Sequence, residues 1–130
     1  MTSDPISDFV TRLKNSVMAG RAGLEVPYST LKMEVAKVLM GAGYLQVAVK
    51  KGRRARKLID IQLPPRGEGR KINGLERVSK PSRRVYWRAR DLRPVKHGLG
   101  LVVMSTPRGV MTGDEARRSG VGGEALFKIW

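Results

Sequence analysis

Leu101-Val102-Val103-Met104-Ser105-Thr106-Pro107-Arg108-Gly109-Val110-Met111-Thr112, followed after a short charged stretch by Gly120-Val121-Gly122-Gly123-Glu124, is where the fold declares itself. Four apolar residues in succession, Leu101 to Met104, read as a buried strand. The strand ends in a hydroxyl pair, Ser105 and Thr106, and Pro107 restrains Thr106 to an extended shape. Thr112 and Glu115 then stand at the spacing of a capping box, and Asp114 complements a helix N-terminus. Arg117 and Arg118 fall in the last turn before a stop at Gly120. The stretch therefore predicts strand, turn and one short helix. Working outward, further strand candidates cover 75–78, 84–88 and 125–130, beside the strand at 101–105. Pro81, Pro94, Gly98, Gly100 and Gly109 supply turn chemistry between them. Residues 71–130 thus read as a mainly β lobe with a single helix.

Upstream, Pro64-Pro65-Arg66-Gly67-Glu68-Gly69 punctuates the chain, so 64–70 is read as a linker and 1–63 as a separate lobe. That first lobe opens with a helix over 4–19, with Asp4 as N-cap and Pro5 at the first helical position. Ile6, Phe9, Val10, Leu13 and Val17 form its apolar stripe, and Thr11, Arg12, Lys14 and Asn15 its polar face. An extended piece at 24–26 meets Pro27, and Ser29 caps a second helix striped by Leu31, Val35, Val38, Leu39 and Ala42. Gly43 is its stop. Strands at 44–49 and 58–63 flank Lys50-Lys51-Gly52-Arg53-Arg54-Ala55-Arg56-Lys57, a hairpin tip too charged to be core. The class is α+β in two small lobes, the first ordered helix, strand, helix, strand, strand.

The chain has 130 residues, enough to bury a core without covalent staples. Lys and Arg number 26 against 11 Asp and Glu, a formal charge of +15 that points to a polyanionic partner. No run approaches the roughly 18 apolar residues of a spanning helix, so a membrane is not expected. Neither a lipidation signal nor a secretory signal is read. With no cysteine, disulfides and thiolate metal sites are excluded. His97, the single histidine, sits between Lys96 and Gly98 with no patterned metal partners. No pair of groups offers general acid and base. The expectation is a protein that performs no catalysis and needs no cofactor, metal or small-molecule substrate.

Hydroxyls at a strand end can reach base edges, ribose or phosphate, and glycines admit another backbone closely. Glu124 is the anomaly, since a carboxylate beside a polyanion is repelled unless it accepts from base amino or imino groups or organises neighbouring donors. Plainer explanations compete. Ser105 and Thr106 suit any strand-end turn, and Thr112 with Glu115 is best read as a cap alone. Gly122 and Gly123 equally serve a turn. Tyr86 equally serves as a half-buried strand aromatic, and the Lys50 to Lys57 cations as a solvated tip.

The pattern Ser-Thr-x-x-Gly-x-Met-Thr at Ser105 to Thr112, then Ala116 and Gly122-Gly123-Glu124, resembles the C-terminal signature of the bacterial small-subunit ribosomal protein S8 family. Asp4-Pro5-Ile6, Thr11-Arg12-Leu13-Lys14-Asn15, Arg77-Val78-Ser79-Lys80-Pro81 and Gly98-Leu99-Gly100 extend the likeness in the same order, from about Asp4 to Phe127. The resemblance implies a structural constituent of the small ribosomal subunit, in the cytoplasm, that binds small-subunit ribosomal RNA directly and helps assemble the subunit's central domain. It implies that the C-terminal lobe docks on the minor-groove side of an irregular RNA helix. It places Ser105, Thr106, Pro107, Gly122, Gly123 and Glu124 at the specificity site, with Tyr86 stacking and Arg84 and Lys80 beside it. Arg12, Lys14, Asn15, Lys32 and the hairpin cations, Arg54 among them, are implied to hold RNA backbone. Neighbouring small-subunit ribosomal proteins, and the chain's own operon messenger RNA, are implied as further partners.

Four positions depart from the family pattern. Pro107 removes a backbone donor, Thr30 replaces a commonly basic residue, and Trp87 and Trp130 bring aromatics whose roles do not carry over. Two other classes share the basic charge. An RNA-processing enzyme needs acid and base groups gathered in one cleft. A DNA-binding regulator needs a helix-turn-helix or a dimerisation heptad, and this sequence displays neither pattern.

Overall fold

Asp4 caps the first helix as the sequence predicts: its carboxylate accepts from the Ser7 backbone N–H at 3.0 Å, and α1 runs Pro5–Met18. The structure, a computed structural model, describes residues 4–95 and 98–130. These divide into two compact units, Met1–Ile72 and Asn73–Trp130. His97 lies outside the described residues.

In the first unit, α1 is followed by β1 (Gly23–Pro27), α2 (Thr30–Gly41), β2 (Val47–Lys51) and β3 (Leu58–Gln62). Ser29 caps α2 by accepting from the Lys32 N–H at 3.1 Å, and Gly43, at φ +91°, takes the left-handed turn that ends it. The sheet is antiparallel in the order β1-β3-β2. Its alternation puts Val26, Ala48, Ile59 and Ile61 inward against Phe9, Leu13, Val35 and Leu39, all buried. Burying each of these side chains other than Ala48 stabilises by about 1.5–3 kcal/mol. The strand expected from residue 44 begins at Val47, because the Tyr44 N–H still donates to the Leu39 carbonyl of α2 at 3.0 Å; Tyr44 and Leu45 are buried ahead of the strand. Segment 64–70 stays on this unit: the Arg70 N–H donates to the Gly43 carbonyl at 2.8 Å, and its guanidinium lies 4.5 Å from the Tyr44 ring centroid.

The second unit contains β4 (Leu75–Arg77), β5 (Tyr86–Trp87), a short 3-10 turn at Ala89–Asp91, β6 (Leu101–Thr106), β7 (Gly109–Thr112), α3 (Gly113–Ser119) and β8 (Gly123–Ile129). Its sheet is ordered β4-β8-β6-β7, with β5 also on β8. Val102, Met104 and Ala125 are buried on one face with Leu92, Val95 and Ala116, and Val103, Phe127 and Ile129 are buried on the other. The register of β6 on β8 shifts between Val103 and Met104, which oppose Phe127 and Ala125, so Leu126 bulges. Thr112 caps α3 by accepting from the Glu115 N–H at 3.2 Å, and Gly120, at φ +69°, closes it.

The α+β class is therefore observed in both units. In the second unit, too, expectations need adjustment. β7 was legible in sequence only as a turn and a cap, because four residues carry no period. The strand expected at 84–88 shortens to Tyr86–Trp87, and β8 starts earlier, at Gly123, because Trp87 of β5 pairs with Gly123 and Ser105 of β6 with Glu124.

Candidate nucleic-acid interface

The sequence scatters the expected specificity residues between 79 and 124, and the second sheet gathers them. Tyr86 is paired with Glu124, Glu124 with Ser105, and Ser105 with Val110, in one cross-strand row. Residues opposite one another in a sheet project on the same side. The row borders an open concavity of about 630 Å³, lined also by Trp87, Thr106, Pro107, Gly122 and Gly123. Tyr86 is 68% exposed there, an aromatic face with no core to cover. Half-buried in the sheet, it could not have been offered for stacking.

Glu124 is anchored. Its Oε2 accepts from the Ser79 hydroxyl and from Arg84 Nη1, the latter at 3.1 Å. Arg84, at the surface, offsets the carboxylate's charge. Ser79 is 1% exposed and is itself fixed: its Oγ accepts from the Val85 N–H at 3.2 Å, and its carbonyl accepts from Arg77 Nη2 at 2.5 Å. Ser79 was quoted in sequence only within a motif. The signal that could have marked it is a hydroxyl set in a basic strand-to-turn segment.

The other expected residues have mixed duties. Thr106 Oγ1 donates to the Gly109 carbonyl at 2.8 Å and accepts from the Arg108 N–H at 3.1 Å, so its hydroxyl ties the β6–β7 turn. Pro107 is exposed at the tip of that turn. A Cβ on Gly122 would lie 2.6 Å from the Trp87 carbonyl oxygen, and one on Gly123 would lie 2.2 Å from that of Ser105. Both glycines are required by the close approach of neighbouring backbone, that of Trp87 and Arg88 at Gly122 and that of β6 at Gly123, whatever else approaches them. Lys80 and Arg83 exchange backbone hydrogen bonds at 3.0 and 2.9 Å, leaving the Lys80 side chain exposed.

In the first unit, Lys14, Asn15 and Arg54 are exposed, and Arg54 takes φ 55° in the β2–β3 tip. Arg12 is exposed but paired with Asp8 at 2.8 Å. Lys32 differs from the exposed phosphate ligand the resemblance implied: it is 6% exposed, and its ammonium donates to Asp8 at 3.0 Å and to the Pro27 carbonyl at 3.2 Å. Burial alone would raise the Asp8 pKa, but the hydrogen bonds and charges of Arg12 and Lys32 outweigh it and hold the carboxyl below its usual range. Its helix turns Lys32 inward, so that cation tethers α2 to α1.

The two tryptophans that departed from the pattern also find places. Trp87 and Trp130 are partly buried against the second unit's core. Trp130 packs so closely on Gly74 that a Cβ there would lie 2.4 Å from its ring. Among the described residues, no three His, Cys, Asp or Glu gather as metal ligands, and no helix is long and apolar enough to cross a membrane.

A family model described as ribosomal protein S8 matches residues 4–130. The protein named small ribosomal subunit protein uS8 in Rubrobacter xylanophilus is 45% identical over 130 residues, spanning 98% of either chain. Proteins of the same name in Acidobacterium capsulatum and Mesoplasma florum are 41% and 38% identical, with 98% and 100% of each chain covered.

Proposed function

We infer the function from the family: the chain belongs to the ribosomal protein S8 family, and it is a structural protein of the small ribosomal subunit. In our reading, the second unit recognises a small-subunit ribosomal RNA helix through the concavity bordered by Tyr86, Ser105 and Glu124, and stabilises that RNA's irregular fold during assembly. The observation that carries this is the single cross-strand row, which sets an exposed ring, a hydroxyl and a charge-compensated carboxylate side by side. A ring can stack on a base or ribose for about 1–3 kcal/mol, and the polar pair supplies one acceptor and one donor at fixed spacing.

The exposed cations of the first unit, Lys14 and Arg54 among them, attract RNA backbone without reading sequence. Thr106 and Gly122-Gly123 act by shaping the concavity, and Lys32 by holding α2. No covalent chemistry is part of this role. Neighbouring small-subunit ribosomal proteins are further partners, and binding to the chain's own operon messenger RNA would confer feedback. A translational reporter fused to that messenger and left unrepressed on overexpression would refute the feedback.

The test is the affinity of wild-type, Ser105→Ala and Glu124→Ala proteins for the ribosomal helix and for a scrambled RNA of equal length, at one salt concentration. A lost hydrogen bond of about 0.5–1.5 kcal/mol gives roughly two- to tenfold weaker binding to the ribosomal helix, with scrambled RNA unaffected. Equal losses on both RNAs would mean that charge alone explains binding.

A further inference from the structure

Glu124 reaches the RNA-facing side of the sheet with half of its carboxylate already committed. Both of its hydrogen bonds, from Ser79 Oγ and Arg84 Nη1, fall on Oε2, and among the described residues none falls on Oε1. The two anchors differ in kind. Arg84 is a long surface side chain, half-exposed and entropically costly to hold in one geometry. Ser79 is 1% exposed and immobilised on three sides: its Oγ takes the Val85 N–H, its own N–H donates to the Ala125 carbonyl at 3.0 Å, and its carbonyl is held by Arg77. These bonds join Ser79 to the β5 approach and to β8, the strand that carries Glu124.

We propose that Ser79 is a positioning residue for RNA recognition: buried beneath the sheet's RNA-facing row, it fixes Glu124 so that Oε1 is presented as a lone, directed acceptor for a hydrogen-bond donor of the RNA. This inference rests on the RNA-binding reading above. A free glutamate beside a polyanion would swing away from phosphate, because repulsion is least where the chain is most solvated. Tethering one oxygen to a buried hydroxyl removes that freedom, so the acceptor is in place before the RNA arrives. The hydroxyl can serve because the Val85 N–H occupies it as acceptor, which leaves its proton to point at Glu124. Alanine at 79 would cost the carboxylate this anchor and leave the Val85 N–H unpaired. Cysteine, close to serine in size, would keep a weaker donor.

A double-mutant cycle tests the coupling. Wild-type, Ser79→Ala, Glu124→Ala and the double variant are titrated with the ribosomal helix and with scrambled RNA, while tryptophan fluorescence checks that the unit is folded. Ser79→Ala is expected to weaken ribosomal-helix binding about three- to tenfold, to leave scrambled RNA binding unchanged, and to have no further effect once Glu124 is alanine. Ser79→Cys should fall between wild type and Ser79→Ala, and serves as the second reading if the alanine variant does not fold. A residue with a merely structural role would weaken binding equally in both Glu124 backgrounds, and that result overturns the proposal. If Glu124→Ala loses discrimination between the RNAs while Ser79→Ala and Ser79→Cys keep it, this inference fails and the RNA-binding site stands. If wild type shows no discrimination, the site assignment fails and this inference falls with it.

Discussion

Replacing Gly123 by alanine tests the packing that brings the row together. The backbone conformation there is ordinary for any residue, so only space opposes the change. The added Cβ would lie 2.2 Å from the Ser105 carbonyl oxygen and 3.0 Å from the Thr106 Cα. An ordinary close C···O approach is about 3.3 Å, so β8 would have to retreat from β6 by roughly 1 Å, and both atoms it meets are backbone. Overpacking of this kind costs about 1–3 kcal/mol. The lower chain entropy of alanine in the unfolded state returns only about 0.4–1 kcal/mol, so the clash wins. We expect net destabilisation of about 1–2 kcal/mol, which for a unit of this size lowers Tm by roughly 4–16 °C. The control is Gly41→Ala at the end of α2, where a Cβ meets nothing within 4 Å; it should stabilise the first unit by about 0.4–1 kcal/mol. Trp87 and Trp130 report melting of the second unit by fluorescence. Binding should change too, since sliding β8 separates Glu124 from Ser105: the ribosomal helix loses affinity more than scrambled RNA does. A Gly123→Ala protein as stable as wild type, with its RNA discrimination intact, would refute the close packing of β8 on β6 as the basis of the site.

Lys32→Met should lower stability by about 1–3 kcal/mol in denaturant melts, because Asp8 and the Pro27 carbonyl lose a charged donor, yet change RNA affinity little; a loss of affinity without a loss of stability would show that its ammonium reaches RNA. Asp8 is held below its unfolded pKa, so its contribution is complete above the unfolded value of about 3.9 and disappears as pH falls through the lower folded value; melts between neutral pH and pH 2 should lose this part of the acid limb in Asp8→Asn. Arg54→Ala should weaken ribosomal and scrambled RNA alike and make the slope of log affinity against log salt shallower by nearly one if it neutralises one phosphate; an unchanged slope places Arg54 off the RNA. Thr112→Ala removes the cap of α3 and should cost about 1 kcal/mol, read as a lower denaturation midpoint of the tryptophan signal.

The reach of sequence reasoning followed the range of the interactions. Asp4, Ser29 and Thr112 were legible as caps because each binds a backbone N–H three residues on, and a spacing of three is visible in any sequence. The stripe of Ile6, Phe9 and Leu13 was legible because burial repeats with the helix period, and the strand Leu101 to Met104 because four apolar residues in succession mark a buried strand. The charged β2–β3 tip was legible because its cations have nowhere to be buried. At the site, the motif pointed to Ser105, Thr106 and Gly122 to Glu124. It carried no sign of which hydroxyls would be engaged internally.

What only the tertiary structure decided depends on partners far along the chain. Glu124 is held by Ser79 across 45 positions, Gly123 is required by a carbonyl on another strand, and Lys32 is buried because its helix face meets Asp8, 24 positions away. β7 exists because β6 supplies the hydrogen bonds that its four residues could not stabilise alone. The physical reason is the same in each case. Local propensity sets which backbone conformation a segment prefers, whereas the burial of a charge, the fit of a glycine and the partner of a carboxylate are set by packing, which no spacing along the chain encodes.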